Sequence, residues 1–170
     1  MQEIHLLKDD LINKIAAGEV VERPESVVKE LIENAVDAGA THIKIELKEG
    51  GTQLISVSDD GKGMSKEDAP LALTRHATSK ISSIDDLFAI DTLGFRGEAL
   101  ASIASVSKFT LVTRQKQSAE GTKLEILENG QVSINSWNGA YGTTIFVREL
   151  FHNIPAILIK LNLSKNINRL

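Results

Sequence analysis

Two polar side chains one helical turn apart are the first residues of this sequence that could do chemistry. Glu30 and Asn34 lie four residues apart within residues 24–39, PESVVKELIENAVDAG, so a helix would place them on one face. A carboxylate can take a proton from water, and a carboxamide offers a neutral oxygen to a hard cation. For this helix alone, a solvated polar face is the simpler interpretation.

The element that must position this pair carries the signals of a complete helix. Pro24 suits the first helical position, where a missing N–H is harmless, and Gly39 suits the left-handed residue that follows many helices. Asp37 extends the polar face at the same spacing. The apolar residues recur at helical spacing and predict a face that packs on the core: Val28, Leu31, Ile32, Ala35 and Val36.

A second candidate is the acidic, glycine-rich string SDDGKGMS at residues 58–65, directly after a predicted strand. Asp59 could accept a hydrogen from the exocyclic amino group of adenine. Gly61 and Gly63 would let a flat ring approach the backbone, and Met64 could pack on that ring. A single D-x-G-x-G string is weak support, and a tight surface turn is the alternative interpretation.

Two further strings could hold a triphosphate. In LGFRGE, residues 93–98, two glycines run into a predicted helix N-terminus, which exposes N–H donors and favours an anion. The hydroxyls and the lysine of residues 78–80, TSK, could contribute from the long loop upstream. The alternative is a mobile loop between capped helices, in which Arg96 pairs with Asp85 or Asp91. The common phosphate-loop string G-x-x-x-x-G-K-[ST] does not occur.

Other polar residues are better explained by structure than by chemistry. His76 stands beside an arginine and is interpreted as a structural hydrogen-bonding residue. The hydroxyls of Thr143 and Thr144 could reach a phosphate, but threonine is ordinary in strands, so a simple strand is favoured. Trp137 and Tyr141 are isolated and suggest no platform for stacking bases.

Composition limits the classes of function. The 170 residues suit one ordinary domain, and the net charge of −4 gives no sign of a nucleic-acid surface. The absence of cysteine excludes disulfides and thiolate chemistry, and the four histidines lack metal-ligand spacing. The N-terminus does not resemble a signal peptide, and no apolar run is long enough to span a bilayer. We therefore expect a soluble intracellular protein without a membrane role.

The predicted elements do not alternate strand with helix, so a doubly wound parallel sheet is excluded. After a first helix that begins at Asp9 or Asp10, we predict helices over 24–38, from Ser65 and over 98–104, with an irregular stretch at 74–97. Strands are predicted at 41–48, 54–58, 108–114, 121–127, 131–135 and 142–149, with hairpin turns at 49–52 and 128–130. This order predicts an α/β fold, a two-layer sandwich with helices on one face of a mixed, largely antiparallel sheet.

Four strings closely resemble the MutL, MLH and PMS family of DNA mismatch repair proteins. They are KIAAGEVVERPESVVKELIENAVDAGA, VSDDGKGM, RHATSKI and LGFRGEALASI, and the resemblance covers residues 1–155. That family belongs with gyrase, the Hsp90 chaperones and histidine kinases to the GHKL group. The resemblance therefore implies the Bergerat-type ATP-binding fold, with a lid over ATP. The strings RHATSK and GFRGEAL favour MutL over a chaperone or topoisomerase domain.

The resemblance implies a role for each matching residue. Glu30 is the expected general base that activates water, Asn34 the expected Mg²⁺ ligand, and Asp59 the expected adenine-binding carboxylate. Asn34 is also expected to contact the nucleotide. The other expected nucleotide-binding residues are Ala38, Gly61, Gly63, Met64, Thr78, Ser79, Lys80, Gly94, Phe95, Arg96, Gly97, Glu98, Ala99 and Leu100.

The family also implies a cellular role. ATP and Mg²⁺ are the expected cofactors, and ATP binding is expected to bring two such domains together as a homodimer. The dimer would relay a signal from a MutS-type mismatch recognition protein to downstream repair factors. DNA is expected to bind weakly or only with a second lobe. The expected location is the bacterial cytoplasm, near the nucleoid when acting on DNA, or the nucleus in a eukaryote.

Two departures from the family pattern modify these expectations. Asp60 stands where the family usually has asparagine, and we expect it to act in the turn. Residues 156–170 diverge from the family, so we assign 1–155 to the ATP-binding domain and predict a truncated or altered product, or a fragment. In the family a second lobe supplies a lysine to the γ-phosphate. The alternative function is therefore a nucleotide-binding interaction module that does not hydrolyse ATP.

Overall fold

The computed structural model describes residues 21–74 and 98–167, with side chains as far as residue 161. In this part of the chain the α-helices α1 to α4 span Pro24–Asp37, Asp68–Leu71, Ala99–Ser105 and Pro155–Ile167. The strands β1 to β6 span Ile43–Lys48, Leu54–Asp59, Lys108–Arg114, Gly121–Ile126, Val132–Trp137 and Gly142–Arg148. A 3-10 turn, Glu49–Gly51, joins the first two strands.

The six strands form one sheet in the order β1-β2-β6-β3-β4-β5. Every neighbouring pair among them is antiparallel, so the predicted sandwich with a largely antiparallel sheet is confirmed. The last strand, β6, lies between β2 and β3. Residues more than 80 positions apart in the chain therefore become direct neighbours, as Asp59 and Thr143 do.

The core lies between the sheet and the helices that cover it. Alternate residues of the central strands point to one face, and the pairs Ile55–Val147 and Leu111–Ile145 continue that face across three strands. These residues belong to one apolar cluster with Leu31 of α1 and with further helical residues. The apolar alternation of the central strands therefore fixes the sheet face on which the helices pack.

Helix α1 begins at the predicted residue and ends one residue before the predicted end, but it does not bury the predicted face. Gly39 follows it with φ +73°, as a left-handed terminal residue should. The fully buried residues are Pro24, Val27, Leu31 and Ala35, whereas Val36 is 48% exposed. The buried stripe is thus turned by roughly 60° from the prediction, on a helix of about 3.6 residues per turn. That rotation leaves the face with Glu30 and Asn34 partly buried instead of fully solvated.

Strand β1 was predicted to bury one face, and this prediction was wrong for all but Ile43, which is partly buried against the core. The strand forms and pairs with β2 as expected, but it is an edge strand, and Ile45 and Leu47 are 42% and 49% exposed. Helix α1 packs mainly over β2 and not over its outer neighbour. Alternation thus identified the side to which β1 points its apolar residues, but not whether anything covers them.

The remaining predicted elements form with small shifts. Ser65 does not begin the next helix itself. Its hydroxyl accepts the backbone N–H of Asp68, 3.0 Å away, and α2 starts there. The turn at Gly130 joins β4 and β5, with the Leu127 N–H bonded to the Gln131 carbonyl at 2.9 Å. The predicted helix over 98–104 appears as α3, one residue later at each end.

The C-terminal helix α4 packs on the same core. Ile157, Leu158 and Leu161 are partly buried against the apolar cluster. The assignment of residues 1–155 and 156–170 to separate units stays a prediction. None of the described helices is both long and apolar enough to cross a lipid bilayer.

Candidate functional site

Three polar side chains follow the apolar rows at one end of the sheet. Asp59 of β2 is paired with Thr143 of β6, and Thr143 is paired with Thr113 of β3. Because directly paired residues of antiparallel strands share a face, all three lie on the side that the helices cover. We call this set, Asp59, Thr143 and Thr113, the polar row. At this end of the sheet, side chains that can form hydrogen bonds therefore follow the apolar residues of the core.

Asp59 is the acidic member of the polar row and lies partly out of water. Burial raises the pKa of its carboxyl group, opposed by backbone N–H groups of Gly61 and Thr143. The Gly61 N–H donates to its Oδ1 over 2.9 Å. A partly desolvated acceptor at a strand end, held by two backbone donors, suits a single directional contact with a ligand hydrogen donor.

The loop after Asp59 is held against two other elements. The Lys62 N–H donates to the Ala38 carbonyl at the end of α1 over 3.0 Å, and a Cβ at Gly61 would lie 2.9 Å from the Ala38 Cβ. Gly63 has φ +66°, and a Cβ there would collide with the backbone carbonyl of Arg114. Both glycines therefore permit the loop to pack closely against other parts of the same chain, whereas the sequence suggested only close approach of a ligand.

Asp60 performs the turn role expected of it. Its Oδ1 accepts the backbone N–H groups of Thr41 and His42 at 2.7 and 2.8 Å. Its Oδ2 accepts the Thr41 hydroxyl at 2.7 Å and lies 2.9 Å from the His42 Nδ1. The Thr41 hydroxyl and the His42 contacts hold the pKa of this carboxyl well below its usual range. Asp60 thus fixes the start of β1 to the loop that carries Asp59.

The face of α1 with the predicted catalytic residues runs toward this loop. Glu30, Asn34 and Ala38 are spaced by four residues, so they align along one side of the helix. Ala38 is the residue that touches the loop, and Glu30 lies about 12 Å further along the axis, at 1.5 Å per residue. Glu30 and Asn34 are each partly buried. This face of the helix therefore leads from the loop after Asp59 toward an amide and then a carboxylate.

The donor set near Asn34 fits a magnesium ion that is held mainly by its substrate. Among the described residues, no group of three or more His, Cys, Asp or Glu side chains could hold a metal. Mg²⁺ keeps most of its waters and typically takes one or two protein ligands plus phosphate oxygens. A single carboxamide oxygen is compatible with that habit.

Part of the predicted phosphate site lies outside the described residues. This applies to Thr78, Ser79, Lys80, Gly94, Phe95, Arg96 and Gly97, and also to His76. Of the predicted set beyond α1 and the acidic loop, the structure describes Glu98, Ala99 and Leu100. Glu98 precedes the first turn of α3, and its carbonyl accepts the Ser102 N–H at 2.9 Å. The predicted helix start is therefore present, and its contact with phosphate stays a prediction.

An open groove of about 520 Å³ lies on the other side of α1. Its apolar lining comes from Pro24, Val28, Ile32 and Leu47, with Glu33 and other charged residues at its rim. On a helical wheel, Val28 and Ile32 flank the buried stripe on the side opposite Glu30 and Asn34. The groove is thus separate from the polar row.

Thr143 is a member of the polar row that the sequence did not reveal. It was interpreted as an ordinary strand residue, yet its Oγ1 lies 3.0 Å from the Thr113 Oγ1 and it is paired with Asp59. Only the strand order, with β6 beside β2, brings it there. A threonine directly after a glycine at a strand start was the single local signal.

Comparison with known proteins gives the family. Residues 21–138 match the family model described as histidine kinase-, DNA gyrase B-, and HSP90-like ATPase. The DNA mismatch repair protein MutL of Geotalea daltonii is 59% identical over 156 residues, which is 91% of this chain and 26% of that protein. The MutL of Xanthomonas campestris is 58% identical over 154 residues, 90% of this chain and 24% of that protein. The chain therefore spans about a quarter of the length of these relatives.

Solved structures agree with the sequence matches. The ATPase domain of Aquifex aeolicus MutL complexed with ADP superposes with a TM-score of 0.62 at 36% identity, over 81% of this chain and 47% of that one. The N-terminal domain of a DNA repair protein gives a TM-score of 0.72 at 32% identity, over 93% of this chain and 44% of that one. The predicted resemblance to the MutL ATPase domain is thus confirmed, and the chain belongs to the histidine kinase-, DNA gyrase B- and HSP90-like ATPase family.

Proposed function

We propose that this chain is an ATP-binding and ATP-hydrolysing domain of a MutL-type DNA mismatch repair protein. The observation that carries the proposal is the placement of Asp59. It ends β2 in a partly buried position, beside the loop that contacts the end of α1. From that contact the face of α1 extends along the helix through Asn34 to Glu30, as a nucleotide with its base at Asp59 would require.

In this proposal the chain's own residues divide the work by position. Asp59 accepts a hydrogen from the base, and this orients the nucleotide. Asn34 offers a neutral oxygen to Mg²⁺, which when bound neutralises charge on the phosphates. Glu30, one turn nearer the start of α1, takes the proton of the attacking water. The residues before α3, among them Lys80 and residues 94–97, would contribute donors to the phosphates.

The first test is a pair of substitutions on α1. Glu30→Ala should retain Mg-ATP binding and lose turnover by about 10²- to 10⁴-fold, the usual contribution of a general base. Asn34→Ala should lose the Mg²⁺-dependent part of ATP affinity. Calorimetric titration with Mg-ATP and a phosphate-release assay measure the two effects separately.

A matched control is available on the same helix. Glu33 lies at the rim of the open groove beside α1 and pairs with Lys29 at 3.5 Å. Glu33→Ala therefore removes a carboxylate from the same helix and leaves the proposed site unchanged. It should bind and hydrolyse like the parent. If Asn34→Ala binds Mg-ATP as tightly as Glu33→Ala does, the metal assignment is wrong.

The same assays decide between hydrolysis and the alternative function. The chain covers about a quarter of its MutL relatives, so a contribution from elsewhere in such a protein is not represented in it. Tight Mg-ATP binding with no phosphate release by the parent would favour a nucleotide-binding interaction module. Failure of the parent to bind ATP would contradict both functions.

The finer cellular role is also part of the proposal. Relatives named as mismatch repair proteins support a place in DNA repair in the bacterial cytoplasm, in a pathway that a MutS-type protein starts. ATP-dependent dimerisation is proposed on the same ground, with DNA binding weak in this domain alone. Light scattering with and without a non-hydrolysable ATP analogue measures the dimer directly, and an unchanged mass would contradict it.

A further inference from the structure

Thr113 holds the polar row together without facing the proposed nucleotide. Its side chain is 1% exposed, on the core side of β3. Its Oγ1 has three hydrogen-bonding neighbours. The Met64 N–H lies 2.9 Å away, the Gly142 carbonyl oxygen 3.2 Å away and the Thr143 Oγ1 3.0 Å away. Because water does not reach this atom, these neighbours must satisfy it.

All three contacts are hydrogen bonds in only one arrangement of the hydroxyl hydrogens. A threonine hydroxyl has one hydrogen to donate and two lone pairs that accept. The Gly142 carbonyl can only accept, so this contact is a hydrogen bond only when Thr113 donates to it. The Met64 N–H can only donate, so it occupies one lone pair. In this arrangement the hydrogen between Thr113 and Thr143 comes from Thr143.

This direction determines what Thr143 can offer to a ligand. Its single hydrogen is directed at Thr113, so its oxygen is left as an acceptor. Its neighbour in the polar row, Asp59, is also an acceptor when ionised. The base end of the proposed site thus presents two adjacent acceptors. An amino group, with two hydrogens, complements them, whereas an oxo group would face them with lone pairs.

We infer that Thr113 is a positioning residue that sets the base specificity of this site, by fixing the Thr143 hydroxyl as an acceptor. The inference rests on the proposed ATP-binding function and deepens it. In Thr113→Val the Thr143 hydroxyl loses its acceptor and can rotate to donate toward an oxo group. Discrimination between a 6-amino and a 6-oxo purine should then fall.

The test compares ATP with ITP, which carry the same ribose and triphosphate and differ at position 6 of the purine. Affinities of the 170-residue chain for non-hydrolysable analogues of both are measured by calorimetry. The parent should prefer the ATP analogue, and Thr113→Val should lower the ratio of the two affinities about five- to tenfold, as loss of one directional hydrogen bond implies. Thr113→Ser retains the hydroxyl and should restore the parent ratio.

The ratio separates specificity from general damage. A purely structural role for Thr113 would weaken both analogues equally and leave the ratio unchanged, and that result overturns the inference while ATP binding stands. If Thr113→Val does not fold, Thr113→Cys replaces it, because a thiol is a weak donor and acceptor. An intermediate ratio supports the inference and an unchanged ratio overturns it. A parent that binds neither analogue overturns the proposed function and the inference together.

Discussion

The centre and the edge of the sheet use similar sequence patterns for different purposes. Strands β1 and β2 both alternate apolar and polar residues. Ile55 and Val57 of β2 are buried, whereas Ile45 and Leu47, their neighbours on β1, are nearly half exposed. The adjacent acids Asp59 and Asp60 differ in the same sense. Asp59 is the last residue of β2, an inner strand of the sheet, whereas Asp60 binds the start of the edge strand β1. Position in the sheet, and not the local pattern, thus decides what each residue does.

The largest expected effect in this comparison comes from Gly63, in the loop that follows the inner strand β2. In Gly63→Ala the new methyl would collide with the Arg114 carbonyl at a backbone φ of +66°. The left-handed backbone and the overpacking together should lower the free energy of unfolding by about 3 kcal/mol or more. Urea unfolding monitored by circular dichroism measures the loss.

The matched control for Gly63 is Gly130, in the β4–β5 turn near the edge. It also has positive φ, +79°, but a Cβ there would have no neighbour within 4 Å. Gly130→Ala should lose only about 1 kcal/mol, the strain of the left-handed conformation. Equal losses for the two variants would show that the Arg114 contact does not constrain the loop.

Truncation of one leucine in each region should give the next largest difference. Leu111 of β3 is fully buried, so Leu111→Ala should lower the free energy of unfolding by about 3 kcal/mol, the usual result of a core cavity. Leu47→Ala, on the edge strand and 49% exposed, should lose less than about 1 kcal/mol. A loss at Leu47 as large as at Leu111 would mean that β1 is covered in solution, and thermal unfolding of both variants decides this.

The smallest effects are expected from the two acids, with opposite signs. Burial raises the pKa of Asp59 in the folded protein, so its ionised form opposes folding above that pKa, and the opposition disappears as the pH falls through it. Asp59→Asn should therefore stabilise the protein at pH 7, and the gain should shrink toward pH 4. Hydrogen bonds lower the pKa of Asp60 in the folded protein. Ionised Asp60 therefore stabilises the fold fully above about pH 4, and this stabilisation is lost as the pH falls further.

Asp60→Asn should accordingly destabilise the protein slightly at pH 7, and its difference from the parent should shrink below about pH 4. The asparagine oxygen can still accept the two backbone N–H groups of Thr41 and His42, which keeps the loss small. Melting temperatures of both variants and the parent, measured from pH 3 to pH 7, give the profiles. Parallel profiles for the three proteins would contradict both assignments.

Local signals were sufficient for the elements but not for their surroundings. Pro24 and Gly39 predicted the ends of α1, and alternation predicted the strands, because these signals act through the backbone of a few neighbouring residues. The buried face of α1 was misjudged because apolar residues surround much of the helix. Whether Val27 or Val36 is buried depends on where the sheet lies.

The candidate site shows the same division. Glu30, Asn34 and Asp59 were predicted because their types and spacing are local, and because these strings resemble a known family. Thr113 and Thr143 were not singled out as site residues, since their chemistry arises from cross-strand register. Register depends on the strand order, which a single sequence with one long return connection does not reveal.

The insertion of β6 between β2 and β3 has a consequence for folding during synthesis. The β1–β2 hairpin leaves the ribosome long before Gly142–Arg148 is synthesised. Asp59 therefore cannot pair with Thr143 until β6 has been translated. Closure of the sheet over such a sequence separation is intrinsically slow and arrives late. A nascent chain that has not yet reached Arg148 therefore lacks the strand that joins β2 to β3.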